Sequence, residues 1–502
     1  MKTIRYILLI IVLSSGFLSC KDILELNPND SLSSETFWKT DKDVKLALAG
    51  VYAYMVNSTT FSHGRKLWDG LSDVAYTGGF GSITLGNLDA NTGSVASSVY
   101  SQCYAMISRC NIFLANVDDV VMDEKLKAQY KGEVQFLRAM SYFTLTEFYG
   151  GVPVYKTPPT IEESKIAQSS KADVVTMILS DLDAAIATLP DDVYSGHAVK
   201  GSALALKAQV LMHNQKWSEA ATTAKIVMTS GKFSIYKGGY QNLFIKPGQN
   251  NNPEILFSVR YLKPNNICPQ TTDGNPDLMS AWDLSVTPLR YFVDAFQCKD
   301  GKPINESPLY SSSDIFKDRD PRLVLMAVTK NHKFADGTVC DISGRLQGGT
   351  GFYSDKYVDW NNYGSAWSWA VRSDQDFVLL RYAQVLLMYA ECTNEATGPD
   401  QSVYDAVNAV RTRPGVDMPV LQTGLSQAQM RQRIRDERLY ELSFEGLRYW
   451  DLLRWKTAET VIPALTNPGN YPRKFNPAKN YLFPFPQSEL DRNNKLKQNP
   501  NY

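Results

Sequence analysis

The strongest constraint on the fold is a pair of amphipathic helical segments separated by only a short polar break. Residues 201–228 read GSALALKAQVLMHNQKWSEAATTAKIVM, and the polar triplet at 214–216 divides two apolar stripes of helical period. Residues 377–413 hold a second pair, in which Ala383 and Ala390 would let the helices approach closely. Repeated helix pairs of this kind predict a mainly α fold, a tetratricopeptide-like solenoid.

Helical periodicity extends over much of the remaining chain. Capping-box spacing joins Thr40 to Asp43 and Ser170 to Asp173, which marks two helix starts. The pattern fails between residues 232 and 375, where Gly, Pro, Asn and aromatic residues surround the short strand-like runs EILFSVRY and RLVLMAVT. Further helical patterns cover residues 97–117, 122–149, 199–213, 216–230, 376–396, 402–412 and 427–458. We therefore expect a helical frame and a large, irregular, loop-rich subdomain with short strands.

The N-terminus has the order of a bacterial export signal. Two basic residues precede an apolar run, residues 7–13, that is too short to span a bilayer. Cys20 lies where a lipoprotein signal places its acylated cysteine, which predicts a signal peptide over 1–19 and a lipidated tether over 20–37. Several acyl chains on Cys20 would hold the protein stably on a membrane. An ordinary secretory signal with a chance cysteine is the alternative.

Composition argues against several kinds of partner. Lys plus Arg and Asp plus Glu both total 52, so no long-range field attracts nucleic acid. The four histidines never fall at i, i+4 and no CxxC is present, so we expect neither a metal site nor another cofactor.

Cys103 and Cys110 lie seven residues apart in a helical pattern. That spacing separates them by about 10.5 Å, which is beyond disulfide reach.

A charged stretch at residues 434–455, IRDERLYELSFEGLRYWDLLRW, has the composition of an active site. Glu437, Glu441 and Glu445 would line one stripe of a helix, and Gly446 would kink or break it. One interpretation is a carboxylate pair for glycoside hydrolysis, which requires two groups facing each other across a cleft. Because helix neighbours at i, i+4 face the same way, we favour a structural charge lattice.

Six segments, in order, resemble the SusD/RagB family of surface glycan-binding lipoproteins, the partners of SusC-type TonB-dependent transporters in Bacteroidetes. The resemblance spans nearly the whole chain and implies four tetratricopeptide-like helix pairs, an irregular subdomain and no catalytic activity. It also implies lipid anchoring in the outer membrane, facing the exterior. The segments are CKDILELNP, SSETFWKTDKDVKLALAGVY, EVQFLRAMSYFTLTEFYGGVPVY, VLLRYAQVLLMYAEC, IRDERLYELSFEGLRYWDLLRW and YLFPFPQSELDRNNKLKQNPNY.

Aromatic residues in irregular segments are candidate ligand contacts, because a pyranose stacks its C–H face on an exposed ring. Residues 352–369 hold seven aromatics, and the resemblance implies that the first three, in GFYSDKY, are buried. Glycines flank the aromatics of the loop at residues 68–91, and the family's use of a nearby helix for an aromatic contact adds Tyr100. The candidates are Trp360, Tyr363, Trp367, Trp369, Trp68, Tyr76, Phe80, Tyr100 and Trp282. Packing of these rings into the protein is the alternative.

The resemblance favours a non-enzymatic receptor that captures an oligosaccharide or similar nutrient and passes it to a transporter. A surface glycoside hydrolase and a tetratricopeptide adaptor that binds only proteins remain as alternatives. The predicted organisation is a helical part at residues 38–231, a ligand-binding subdomain at 232–375, and a C-terminal helical part with its tail at 376–502.

Overall fold

The computed structural model of the chain describes residues 37–56, 58–91, 94–269, 286–327, 349–359 and 372–502. Helices dominate these residues, and six short strands pair two by two. The longer helices are α1 (Asp41–Val56), α2 (Ser94–Asn116), α3 (Glu124–Tyr149), α4 (Lys171–Thr188), α5 (Lys200–His213), α6 (Trp217–Thr229), α7 (Tyr382–Thr397), α8 (Gln401–Arg411), α9 (Gln427–Leu442) and α10 (Arg448–Arg454).

Shorter elements connect and flank these helices. One-turn to two-turn α-helical segments occur at Gly81–Thr84, Arg290–Ala295, Leu323–Met326, Ala458–Val461 and Gln487–Arg492, and a 3₁₀ helix covers His63–Leu71. The strands are β1 (Ala75–Tyr76), β2 (Ile255–Val259), β3 (Thr287–Pro288), β4 (Phe377–Arg381), β5 (Thr466–Asn467) and β6 (Tyr471–Pro472). β1 pairs with β3, β2 with β4 and β5 with β6, all antiparallel.

Consecutive helices pack on one another from α2 to α6, and α7 packs on α6, α8 and α9. The capping predictions are confirmed: Asp43 accepts from the Thr40 amide at 2.8 Å, and Ser170 accepts from the Asp173 amide at 3.1 Å. The chain leaves this stack after Thr229 and returns at Tyr382, so residues far apart in sequence form neighbouring layers. The predicted mainly α, tetratricopeptide-like architecture is confirmed.

Two local predictions are wrong. Residues 377–381 form β4 rather than the start of a helix, because β2, the predicted strand EILFSVRY, pairs with them and supplies their backbone partners. The run RLVLMAVT contains a helical turn, Leu323–Met326, instead of a strand. Short apolar runs have no decisive periodicity, so tertiary contacts determine their conformation.

The predicted break in the charged stretch occurs between α9 and α10. Gly446 has φ +72°, and a Cβ there would lie 2.6 Å from the carbonyl oxygen of Arg65. Only glycine therefore permits this close approach between the 3₁₀ helix and the connection. Cys103 and Cys110 are both buried and form no disulfide with each other, which confirms the prediction for this pair.

Candidate functional site

The charged stretch at residues 434–455 lies inside the protein, where ion pairs enclose its side chains. Glu437 and Glu441 have no exposed surface, and Glu445 is 5% exposed. Five carboxylates and five cations form this cluster, which we call the ion-pair lattice: Glu254, Asp320, Glu437, Glu441, Glu445, Arg322, Lys356, Arg381, Arg411 and Arg413. The charges are equal in number, so the lattice compensates itself.

Glu441 is the centre of the ion-pair lattice. It accepts from Arg381 at 2.6 Å, from Arg413 at 2.8 Å and from Arg322 at 2.9 Å. Burial alone would raise the pKa of Glu441, but the three guanidinium groups outweigh it and hold the pKa well below its ordinary value. A carboxylate fixed in this way is neither a proton donor nor accessible to a sugar, which supports the structural interpretation of the stretch.

A second, smaller set of ion pairs lies at α10. Arg438 donates to both oxygens of Asp451 at 2.9 Å, and Arg454 pairs with Asp451 and with Glu391. Trp455 donates its indole N–H to Glu391 at 2.7 Å. The basic and aromatic residues at the end of the stretch are thus bound by Asp451 within it and by Glu391 of α7.

Two of the predicted exposed aromatics are buried instead. Trp68 is 3% exposed and packs edge to face on Phe148 and Trp450, with ring centroids 5.2 Å and 5.8 Å away. The 3₁₀ helix places every third residue in one row, so Trp68 shares the inward row of Leu71. Phe80 is 7% exposed because its segment, predicted as a flexible loop, is helical over Gly78–Phe80 and Gly81–Thr84. Their predicted exposure is therefore wrong, although both rings line a cavity of about 170 Å³, so a role in ligand contact stays a prediction.

The remaining candidates divide between described and undescribed parts of the chain. Tyr76 is half-buried in β1, opposite Thr287 of β3. Tyr100 is 7% exposed on α2 but lines an open cavity. The predicted contacts Trp282, Trp360, Tyr363, Trp367 and Trp369, together with the lipidation site Cys20, lie outside the described residues.

The cavity beside Tyr100 has a volume of about 390 Å³ and is built from three segments. α2 presents Tyr100 and Tyr104, which are four residues apart and therefore on one face. Tyr155 comes from the loop after α3, and Glu489 and Arg492 come from the C-terminal tail. We call this site the tyrosine cavity. It brings together aromatic faces and hydrogen-bonding groups in the combination expected for a saccharide.

The rings of the tyrosine cavity are held in place by two bonds to the backbone and by packing of the rings on one another. Tyr104 donates its hydroxyl to the Pro153 carbonyl at 2.7 Å, and Tyr155 donates to the Ser164 carbonyl at 2.6 Å. The centroids of Tyr104 and Tyr155 lie 5.7 Å apart at 69°, and those of Tyr100 and Tyr104 lie 4.6 Å apart. The cavity is therefore ordered before any ligand enters, which lowers the entropy cost of binding.

A buried polar layer supports the cavity from below. The Asn111 amide donates to the Tyr155 carbonyl at 2.9 Å and accepts from Arg138 at 2.8 Å. Arg138 in turn makes two bonds to Asp181, at 2.8 Å and 2.7 Å. This chain of bonds ties the loop that carries Tyr155 to α2, α3 and α4.

The rim of the cavity carries charges that are free to move. Arg492 pairs with Glu489 at 3.0 Å, and the Arg492 side chain is 75% exposed. An exposed pair of this kind contributes little to stability, so either partner can turn toward a ligand hydroxyl. Burial and the Glu489 carboxylate raise the pKa of Tyr100, so its hydroxyl stays protonated at neutral pH.

Sequence reasoning singled out Tyr100, which lines this cavity, but not Tyr104, Tyr155 or Asn111, which line it as well. The spacing of Tyr100 and Tyr104 on one predicted helix was a signal for a shared aromatic face. No local pattern places Tyr155 or the tail residue Glu489 beside them, because those contacts depend on how the loop after α3 and the C-terminal tail pack on α2.

Comparison with known families agrees with the fold. Residues 253–502 match the model described as SusD family, and residues 23–212 match a model described as starch-binding associating with outer membrane. SusD-like protein P2 of Formosa agariphila is 28% identical, and the alignment covers 99% of this chain and 100% of that protein. SusD-like protein P25 of the same organism is 26% identical, covering 93% of this chain and 92% of that one.

Solved structures give the same result. A SusD-like protein from Bacteroides fragilis superposes with a TM-score of 0.80 at 26% identity, covering 94% of this chain and 99% of that chain. A SusD-like carbohydrate binding protein from B. fragilis superposes with a TM-score of 0.79 at 28% identity, covering 92% and 100%. None of the helices in the described part of the chain combines the length and apolar character needed to cross a bilayer. The chain belongs to the SusD-like family.

Proposed function

We propose that the protein is a non-enzymatic carbohydrate-binding protein and that the tyrosine cavity is one of its saccharide contacts. The observation that carries this proposal is the set of three tyrosine rings fixed around an open volume of about 390 Å³. A sugar ring stacks its C–H face on such rings, while its hydroxyls exchange water for polar groups at the rim. The similarity to a structure described as a SusD-like carbohydrate binding protein supports the same function.

The finer parts of the proposal concern anchoring and delivery. Cys20 carries the lipid, the protein faces the cell exterior, and the captured oligosaccharide passes to a SusC-like TonB-dependent transporter. The family model described as associating with the outer membrane supports this location. We further propose that Trp360, Tyr363, Trp367, Trp369, Trp282 and Tyr76 provide additional ligand contacts on the irregular subdomain and its neighbouring strand.

A binding role, unlike hydrolysis, is consistent with the burial of the carboxylates in the charged stretch. Glu437 and Glu441 have no exposed surface, and cations surround them, so neither reaches a glycosidic bond. Incubation of the purified protein with the oligosaccharides that it binds should release no reducing sugar. Product release would contradict the proposal and favour a hydrolase.

Binding is tested by a glycan array with the purified protein, followed by titration calorimetry on the glycans retained. Tyr104→Phe and Tyr104→Leu both remove the hydroxyl that donates to the Pro153 carbonyl. Phe keeps an aromatic ring at this position, and Leu does not. We expect Phe to keep the wild-type affinity within about twofold and Leu to lose roughly 0.5–1.5 kcal/mol, the contribution of one aromatic contact. Tyr471→Ala is a matched control, because it removes a ring that is 60% exposed elsewhere.

The result that contradicts the assignment of this cavity is equal affinity for Tyr104→Phe and Tyr104→Leu, with folding verified by circular dichroism. If the Leu variant binds normally while a triple change of Trp360, Trp367 and Trp369 to Ala abolishes binding, the saccharide contacts lie on the irregular subdomain alone. If no glycan is retained by the array, carbohydrate binding itself is rejected.

A further inference from the structure

A second cavity, also of about 390 Å³, lies between α1, the turn at Gly196 and His197, and the end of β2. It shares no lining residue with the tyrosine cavity. Apolar side chains from α1, including Ala53 and Met55, form one wall. His197 and Arg260 supply basic groups at the opposite side, so the cavity combines an apolar wall with two nitrogen-rich edges.

His197 is fixed by a buried carboxylate. Its Nδ1 lies 2.7 Å from Glu133, which has no exposed surface and also accepts from the Tyr52 hydroxyl at 2.7 Å and from Gln129 at 3.2 Å. The imidazole side chain is 60% exposed. Because Nδ1 faces Glu133, the opposite ring nitrogen, Nε2, points away from the protein interior.

Arg260 is held beside the same turn. Its guanidinium donates to the Ser195 carbonyl at 2.7 Å and lies 3.7 Å from Asp376, while its side chain remains 46% exposed. Gly196 has φ +124°, and a Cβ there would lie 2.6 Å from the guanidinium, so this packing requires glycine. The turn that carries His197 therefore packs directly against the Arg260 guanidinium.

When His197 is protonated, the charges near the cavity leave an excess of positive charge at its surface. Asp376 is shared between Lys246, at 2.9 Å, and Arg260, so two cations face one carboxylate. Protonated His197 has its negative partner, Glu133, buried behind it. The exposed edges of both basic groups are therefore available to an anion.

We infer that this cavity binds a carboxylate carried on a sugar-sized ring, the chemistry of a uronic acid. The carboxylate lies against His197 and Arg260, and the ring lies against the apolar wall of α1. The carboxylate follows from the two cations alone, whereas the choice of a sugar body rests on the proposed function. The site makes the protein a receptor for acidic saccharides in addition to neutral ones.

The charge state of His197 makes this binding dependent on pH. The hydrogen bond to Glu133 raises the pKa of His197, and burial and the Arg260 charge oppose that rise. Tyr52, which also donates to Glu133, stays neutral because burial and the nearby Glu133 charge raise its pKa well above the ordinary value. The imidazolium is therefore present below the raised pKa and is lost as the pH increases through it.

The test is titration of the purified full chain with D-glucuronate, followed by NMR or calorimetry, at about pH 5.5 and about pH 9. The glucuronate carboxylate is ionised at both values, so only the protein changes charge. D-glucose is the uncharged control ligand. Arg260→Gln and His197→Gln each remove one basic group, and Lys45→Gln removes an exposed positive charge on α1 outside the cavity lining.

We expect glucuronate to bind the wild type about fivefold more tightly at the acid pH, the size of a partly exposed ion pair. His197→Gln should bind with the same lower affinity at both pH values, Arg260→Gln should bind more weakly at both, and Lys45→Gln should behave as wild type. Absence of glucuronate binding at the acid pH, or equal binding by both cavity variants and Lys45→Gln, overturns the inference. Neutral-glycan binding by the wild type, and its weakening in Tyr104→Leu, are measured separately, so failure of one site is distinguishable from failure of the other.

Discussion

The ion-pair lattice contains charged residues and the tyrosine cavity contains aromatic residues, and both kinds of residue suggest a functional site in this sequence. The structure buries the charged residues and leaves the aromatic ones beside an open volume. In the lattice, five carboxylates meet five cations with essentially no exposure to water. In the cavity, Tyr104 and Tyr155 are fixed through their hydroxyl groups, and both rings line an open volume. A polar group satisfied entirely within the protein stabilises the fold, whereas a fixed ring with an open face is available for a ligand.

The largest expected effect comes from breaking the ion-pair lattice at its centre. Glu441→Gln leaves three guanidinium groups without their shared carboxylate. Removing one partner of a buried ion pair costs about 3–5 kcal/mol of unfolding free energy. Denaturant unfolding followed by circular dichroism measures the loss. Glu489→Gln is the matched control at the rim of the tyrosine cavity, and a similar loss in both variants would contradict the distinction between the two regions.

The closed interior should also respond to acid through His63. This side chain is fully buried and its Nε2 faces the Gln375 carbonyl at 2.8 Å. Burial, with a smaller contribution from the Lys66 charge, lowers the pKa of His63 to about 3. Below the ordinary histidine pKa the unfolded chain takes up a proton that the folded chain does not, so stability falls as the pH decreases from about 6.5 toward 3.

We expect wild type to lose about 1.4 kcal/mol of stability per pH unit more than His63→Gln over that window. The glutamine amide can still donate to the Gln375 carbonyl, so the variant isolates the titration. Urea unfolding of both proteins from about pH 6.5 to 4 provides the comparison. Parallel stability curves would show that His63 does not titrate in this way.

An intermediate loss of stability is expected in the buried polar layer beneath the tyrosine cavity. Asn111→Ala removes an acceptor for Arg138 and a donor to the Tyr155 carbonyl. The buried groups left unpaired cost roughly 1–3 kcal/mol of unfolding free energy. Neutral-glycan affinity should fall as well, because the loop that carries Tyr155 loses its anchor. Asn116→Ala, an exposed amide on the same helix, should change neither quantity.

The smallest expected effect is at the rim. Arg492→Gln removes a cation that is 75% exposed and that pairs with Glu489, so stability should change by less than about 0.5 kcal/mol. Glycan affinity should respond more than stability does. A loss of stability comparable to that of Glu441→Gln would show that the rim pair belongs to the structural frame.

The helical frame could be predicted from sequence because its signals are local. Residues 201–228 form α5 and α6 where the apolar stripes indicated, and the capping spacings at Thr40 and Ser170 mark true helix starts. Residues 377–381 were misassigned because the pairing of β4 with β2 depends on a strand more than 100 residues away. Local periodicity contains no information about such a partner.

The sites were less predictable because they depend on where distant segments meet. Trp68 suggested an exposed ring among polar and glycine residues, but the 3₁₀ helix turned it toward Phe148 and Trp450. Tyr155 is recognisable as a cavity residue only when the C-terminal tail is placed beside α2. The charge lattice was predicted from helix spacing, yet all five of its cations come from outside the charged stretch.

The most direct test of the account is calorimetric titration of a retained neutral glycan into Glu441→Gln under conditions where circular dichroism shows it to be folded. The account predicts that the variant, although less stable, binds with the wild-type affinity within about twofold, because the lattice makes no contact with the ligand. Loss of glycan binding in the folded variant would contradict the account and would place the buried carboxylates in the binding function.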